Sequence, residues 1–291
     1  MRDPDLSVVI PSYNQGEFLG QCLDSVLSQR WDGRPEVIVL DGGSTDSSVD
    51  VIRRHEKHLA FWRSAKDAGQ AAAVAEGFAR AKGAFLYWIN SDDFLLPGAF
   101  ESFEQARRRR PATFYYGGIV DVDAAGKPLR ERPTSGVNAW TFRYRGMIAY
   151  SMASFFSRSL YLQAGPVNPT FRFAMDLDLF LRMLPHARCE RLDSPHLIAA
   201  FRLHEASKTS TLEDVRIAES ISIRRLHGSW PTGNALSRAR WRLGWGLANA
   251  YRAALMVRDG YGMEVAASAL RELRGANDLS PISSEAARRE T

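Results

Sequence analysis

The stretch AFLYWINSDDFLLPG (84–98) runs a bulky apolar segment straight into two adjacent carboxylates, Asp92 and Asp93. Neighbouring anions repel, and leaving water raises the pKa of both. A turn that needed only polarity could use one Asp, or a Gly and an Asn. A positive partner explains the pair better. A hard divalent cation takes one or two protein carboxylates and fills its remaining positions with phosphate oxygens and water. The competing reading is a solvated turn whose Asp caps the next helix. These residues alone leave both open.

The flanking sequence places the pair in a repeating pattern. LSVVIP (6–11), EVIVLD (36–41), LAFWRSA (59–65) and AFLYWIN (84–90) read as strands. Between them, GEFLGQCLDSVLSQ (16–29) carries Phe18, Leu19, Cys22, Leu23, Val26 and Leu27 at helical spacing. In GGSTDSSVDVIRRHEKH, Thr45 or Asp46 can cap a helix. AGQAAAVAEGFARAKG (68–83) is an Ala-rich helix stopped by Gly83, and LPGAFESFEQARRRRP (96–111) is another. Strands alternating with helices predict an α/β fold with a mostly parallel sheet. Crossovers then collect the C-terminal strand ends on one edge, where open α/β sheets bind ligands. Asp41, the PSYNQ loop and Asp92/Asp93 all fall at such ends, so they should converge.

After Tyr115 the texture changes. TFYYGGIVDVDAAGKPLRERP predicts a hairpin around DAAGK, and FAMDLDLFLRML predicts a helix with Phe173, Leu177, Phe180, Leu181 and Leu184 on one side. Beyond about 213 the chain reads as mainly helical. The expected organisation is a catalytic domain over 1–212, split into halves at 111/112, a helical extension over 213–280 and a disordered tail over 281–291.

Composition narrows the class without choosing it. The 291 residues are 45% hydrophobic with a formal net charge of +5, suited to a soluble protein and to phosphate-bearing ligands. Cys22 and Cys189 are the only cysteines, too few for a disulfide framework or a thiolate metal site. No secretory signal or spanning helix is evident, which predicts a cytoplasmic protein. HEKH (55–58) lacks the His-Glu-x-x-His spacing of zinc proteases. RRRR (107–110) lies in a helix's last turn, where cations complement the dipole. It has no interleaved aromatics, so no nucleic-acid partner is expected. Trp241, Trp245 and Tyr251, interspersed with Arg238, Arg240, Arg242 and Arg252, fit either packing on the catalytic domain or peripheral contact at the inner face of a membrane.

Taken in order, VVIPSYNQGEFLGQCLDSVLSQ, VIVLDGGSTDSS, KDAGQAAAVAEGFARAKGAFLYWINSDDFLLPGA and FAMDLDLFLRM resemble the family 2 glycosyltransferases. These are inverting nucleotide-sugar enzymes with a GT-A fold, a Rossmann-like nucleotide-sugar-binding sheet flanked by helices. The likeness spans about Leu6 to Ser210. It implies that Pro11, Tyr13, Gln15, Asp41, Asp67, Gly69 and Asp92 bind the nucleotide. Asp93 would hold Mn²⁺ or Mg²⁺ with His204 of FRLHEASKTS, and Arg202 or Lys208 would lie nearby. AMDLDLFLR resembles the acceptor-side motif, with Met175 where Glu is usual. Asp176 is then the general base and Asp178 the alternative, since helix positions two apart do not share a face.

The donor implied is a sugar nucleotide, UDP-linked by default. The acceptor is a saccharide, a lipid-linked species or another hydroxyl compound, with cell-surface polysaccharide or glycoconjugate synthesis as the setting. Rival readings are a nucleotidyltransferase, disfavoured because VVIPSYNQGEF lacks a basic phosphate loop, and a non-catalytic sugar-nucleotide-binding or scaffold protein.

Overall fold

The computed structural model describes residues 4–33, 35–192, 197–231 and 234–261. The expected tail and the later part of the expected helical extension lie outside the described residues. A first sheet has the spatial order β10-β6-β9-β4-β1-β2-β3. Its strands are β1 (Leu6–Ser12), β2 (Glu36–Asp41), β3 (Phe61–Ser64), β4 (Phe85–Trp88), β6 (Phe114–Tyr116), β9 (Ser154–Ser157) and β10 (Cys189–Arg191). The strands β3, β2, β1 and β4 run parallel. Strand β9 is antiparallel to both β4 and β6.

Helices cover both faces, which is why these strands read as continuous apolar runs. Successive side chains of a strand point to opposite faces. Val8, Ile10, Val37 and Val39 therefore pack with helices α1 (Gly16–Leu27), α2 (Ser48–His55) and α4 (Ala99–Arg109). Val9, Ile38 and Leu40 pack on the other side with α3 (Gln70–Arg80), α5 (Ala139–Arg145), α6 (Arg158–Ala164) and α7 (Met175–Met183). The expected α/β core is present, with element ends shifted by a few residues.

A second, four-stranded sheet was not anticipated beyond its hairpin. Strands β7 (Gly118–Val122) and β8 (Pro128–Arg132) form that hairpin, and β11 (Leu197–Arg202) lies parallel to β7. The two-residue β5 (Phe94–Leu95) pairs antiparallel with β11. This pairing brings the segment after the acidic pair against Arg202. Helices α8 (Lys208–Thr211), α9 (Glu213–Leu226) and α10 (Ala235–Arg258) follow. Among the described residues no helix is long and apolar enough to cross a membrane.

Candidate active site

The C-terminal ends of the parallel strands open into a cavity of about 700 Å³. Pro11, Tyr13, Gln15, Asp67, Gly69 and Asp92 line it, and so does Asp176. Four separate sequence stretches therefore meet there; of the residues expected to converge at strand ends, the PSYNQ loop and Asp92 line the cavity, and Asp41 and Asp93 do not.

One end of the cavity is a slot. Its floor is Gly42, where an added Cβ would stand 3.3 Å from the Tyr13 ring and 3.4 Å from the Asp67 carboxylate. Tyr13 is 61% exposed, so its ring face is available for stacking. Asp67 accepts from the Gly69 amide at 2.8 Å and lies 3.7 Å from Arg63, whose guanidinium also grips Glu76 at 2.6 Å. Gly69 has φ of 105°, a conformation that L side chains resist. It leads into α3, whose N-terminal residue Gln70 also lines the cavity.

Asp41 is placed differently from its neighbours. It is fully buried, and its carboxylate accepts from the Gly43 and Ser44 amides and from the Ser44 and Ser64 hydroxyls. It holds the GGST loop from beneath rather than lining the cavity. That loop is tied in turn to PSYNQ: Asn14 Oδ1 accepts from Thr45, and Asp46 accepts from the Gly16 amide. Asn14 sits at φ 51°, where Asn is the best tolerated of the non-glycine residues.

The acidic pair splits. Asp92 faces the cavity with Oδ2 3.2 Å from His204 Nε2. Asp93, expected to be the metal carboxylate, turns inward and is 1% exposed. Its Oδ1 accepts from the Arg202 amide at 3.0 Å and its Oδ2 from Asn90 at 3.3 Å. Burial, and then the Asp92 charge, push the Asp93 carboxyl well above the usual range. The physical reason is local: the pair sits in the turn between β4 and β5, where the Asp93 amide donates to the Asn90 carbonyl at 3.1 Å, and the β11 backbone claims the Asp93 carboxylate. Arg202 itself is buried and structural. It donates to the Asp92 carbonyl at 2.8 Å, to the Ala124 carbonyl at 2.6 Å and to Gln21 at 2.5 Å, with its Cζ 4.8 Å from the Phe18 ring centroid.

The two candidate bases also separate. Asp178 is buried in an ion pair with Arg182 at 2.8 Å and lies 3.0 Å from His227. Asp176 opens to the cavity, and its Oδ1 accepts from the amide of Leu177 at 2.8 Å. Loss of water raises its pKa from 3.8 to about 6.

Two contributors, Glu219 and the cavity face of α9, escaped sequence reasoning, and Lys208, expected nearby, takes a defined place. Glu219 of α9 accepts from the Arg172, Phe173 and Ala174 amides at 2.7 to 2.9 Å, capping the start of α7 that carries Asp176. Helix α9, expected to belong to a C-terminal extension, lines the cavity with Arg216 and Ser220. Lys208 donates to Gln70 at 2.8 Å and to the Arg172 carbonyl at 3.2 Å, bridging the two sides. Burial lowers its pKa. No local motif marks Glu219, Arg216 or Ser220, because each acts on a segment remote in sequence.

Comparison with known proteins agrees with the geometry. Residues 7–163, more than half of the chain, match the family model described as glycosyl transferase family 2. An uncharacterized glycosyltransferase of Mycobacterium tuberculosis is 31% identical over 185 residues, covering 62% of this chain and 68% of that one. The chondroitin synthase of Escherichia coli is 27% identical over 190 residues, 62% of this chain but only 27% of the synthase. Among solved structures, residues 1–349 of S. aureus TarS in complex with UDP-GlcNAc superpose with a TM-score of 0.61 at 16% identity, covering 92% of this chain and 80% of that one. The Pyrobaculum calidifontis mannosyltransferase PcManGT, in complex with GDP-Man and Mn²⁺, gives 0.59 at 14% identity, covering all of this chain and 82% of that one. With the GT-A architecture, the convergent strand-end cavity and the family model in agreement, the chain belongs to glycosyl transferase family 2.

Proposed function

We propose that the protein transfers a sugar from a nucleoside-diphosphate donor, a UDP-sugar first among them, to an acceptor hydroxyl with inversion at the anomeric carbon. The observation that carries this reading is the meeting of two chemistries in one cavity. Asp92, 3.2 Å from His204, lines it together with Tyr13 and Asp67, and Asp176 with its raised pKa lines it as well.

The donor side divides into three tasks. The Tyr13 ring, the Gly42 floor and the Asp67 carboxylate make a flat slot with an acceptor at its edge, suited to a pyrimidine face and its ring N–H. Asp41 acts beneath, as a positioning residue. The N-terminus of α3 and the Lys208 ammonium favour anionic oxygens. Asp92 and His204 offer one carboxylate oxygen and one imidazole nitrogen, a donor set that fits Mn²⁺ or Mg²⁺ sharing its other positions with phosphates. In this reading Asp92, not Asp93, is the metal carboxylate. A bound cation would neutralise charge developing on the departing diphosphate.

The acceptor side supplies the base. An alcohol is a weak nucleophile at neutral pH, so its proton must leave as the oxygen attacks. Asp176, ionised above about pH 6, takes that proton. A single displacement from the face opposite the leaving group inverts the centre.

The test is donor turnover. Purified protein should hydrolyse a UDP-sugar slowly in the presence of Mn²⁺ and far less with EDTA. Asp92→Asn should lose the metal response. Equal rates with and without metal, or no response to any of UDP-, GDP- and dTDP-sugars, would overturn the proposal.

A further inference from the structure

Behind the acceptor side of the cavity, three arginines lie together without an acid. Arg145 ends α5 and is 2% exposed, and Arg252 of α10 is 4% exposed. Arg224 of α9 is partly buried. Their charges oppose one another: Arg145 has its pKa pushed down to about 9 by burial and then by Arg252 and Arg224.

Their hydrogen-bonding groups are just as unusual. Among the described residues, Arg145 Nε, Nη1 and Nη2, Arg224 Nη1, Trp241 Nε1 and Trp245 Nε1 are buried without a hydrogen-bond partner. Every one of these atoms is a donor. The Arg145 guanidinium sits 5.5 Å from the Trp245 ring centroid, and that of Arg224 sits 5.9 Å from Trp230. Ring faces attract cations but accept few hydrogen bonds. Burying unpaired donors and unpaired charge is costly. The backbone nonetheless makes room for this cluster: at Gly146, with φ of 78°, an added Cβ would overlap the Arg224 guanidinium.

The cluster does not itself line the cavity, but it adjoins residues that do. Arg216, Ser220 and Arg224 recur every four residues along one face of α9, and the first two line the cavity. On the other side, Met147 and Tyr150 line it immediately after Arg145 and Gly146. We propose that Arg145, Arg224 and Arg252 form an anion site whose ligand is a phosphate group carried by the acceptor. Guanidinium forks match phosphate oxygens, and a phosphate offers several acceptors to the unpartnered donors of Arg145 and Arg224, while Arg252, which donates from Nε to the Ser135 carbonyl at 3.0 Å, adds charge. This rests on the reading of the cavity as the transfer site. The phosphate can be borne by a soluble glycan or by a lipid. The outer face of α10 exposes Leu236, Leu243 and Leu247 beside the cluster's helix, so both sources are tested.

The experiment uses the full chain with the donor cavity held by saturating UDP and Mg²⁺. Two probes are titrated: sn-glycerol 3-phosphate by calorimetry, and phosphatidylcholine vesicles with or without phosphatidic acid by sedimentation. Wild type should bind at least one phosphate probe. Arg145→Met and Arg224→Gln should each weaken that binding at least tenfold. Binding of glycerol phosphate alone assigns a soluble acceptor, and retention only on phosphatidic-acid vesicles assigns a lipid-borne one. Without a probe, Arg145→Met should melt a few degrees higher than wild type, because an uncompensated buried charge is gone. The site is overturned if neither probe binds wild type, or if both variants bind as wild type does. Donor hydrolysis is scored separately. Its absence in wild type sinks the transfer reading and leaves phosphate binding to stand or fall alone.

Discussion

Asp176 is a carboxylate held under tension by its surroundings, and two consequences follow from one cause. Its pKa of about 6 means that the folded protein holds this proton more tightly than the unfolded chain, where the value is 3.8. Stability contributed by the protonated form is fully present below about pH 4. It is lost as pH rises through the window between 3.8 and 6, and at pH 7 the fold carries the cost of a desolvated charge. A two-unit shift corresponds to about 3 kcal/mol, which partial exposure reduces to roughly 1–2 kcal/mol. Asp176→Asn should therefore melt a few degrees higher than wild type at pH 7, and that gain should vanish near pH 4. The same variant should lose about 10²–10⁴-fold in transfer rate, the usual worth of a general base. The acid limb of the rate profile near pH 6 should disappear with it. Thermal melts and rate profiles over pH 4–8 check both. Normal turnover in the variant removes Asp176 from the mechanism.

Asp178 should behave in the opposite way. Its partner Arg182 keeps 22% exposure, so Asp178→Asn should cost roughly 2–3 kcal/mol, a little less than breaking a fully buried pair. It should leave the pH limb in place. Thermal unfolding and the same rate profile distinguish the two acids. In the sequence they were separable only by the rule that residues two apart on a helix diverge. Which of them faced the cavity depended on Arg182 and His227, one within the helix and one far beyond it. The Asp92/Asp93 pair has the same lesson. Apolar periodicity located the strand end that delivers it, but the choice between the two was made by the Arg202 amide on a strand more than a hundred residues later.

At the scale of elements, α7 is a helix whose start is capped from outside. The nine residues Met175–Met183 have no side-chain cap of their own. Glu219 replaces it with a carboxylate shared among three amides just before the helix. An anion at a helix N-terminus contributes about 0.3–1 kcal/mol at the surface and up to about 2 kcal/mol when partly buried. Glu219→Ala should lower stability by about 1–2 kcal/mol on that scale. Because the same amides precede Asp176 directly, transfer rate should fall roughly tenfold or more, as expected when a catalytic group is displaced by about an ångström. Donor KM should stay near its wild-type value. A rise in donor KM with unchanged kcat would show that Glu219 serves the nucleotide side instead. The parallel strands and the helices between them were legible because each carries its own periodicity over ten or so residues. The second sheet was not, since β5 has two residues and β11 finds β7 across some eighty positions. Glu219 was invisible for the same reason, lying 45 residues from the amide of Ala174.

The whole molecule joins two incomplete sites through one cavity, and the metal is where incompleteness becomes measurable. Among the described residues no three His, Cys, Asp or Glu side chains form a group able to hold an ion. In the proposed reading Asp92 and His204 would supply two ligands. Such a pair would bind Mn²⁺ weakly by itself, and a diphosphate in the neighbouring slot would supply the missing oxygens. Metal and nucleotide should then bind cooperatively, and linkage requires each to raise the other's affinity by the same factor. Calorimetry should show Mn²⁺ binding at least tenfold more tightly with UDP present, UDP gaining equally with Mn²⁺, and UMP giving a much smaller effect because it lacks the second phosphate. Lys208→Met should weaken UDP binding whether or not Mn²⁺ is present, since it removes a cation from the phosphate side without touching either metal ligand. Asp92→Asn should abolish the coupling while leaving UDP to bind through the Tyr13 and Asp67 slot. Mn²⁺ bound equally tightly in the absence of UDP would mean that the protein holds the ion alone, and the division of labour between chain and donor would have to be abandoned.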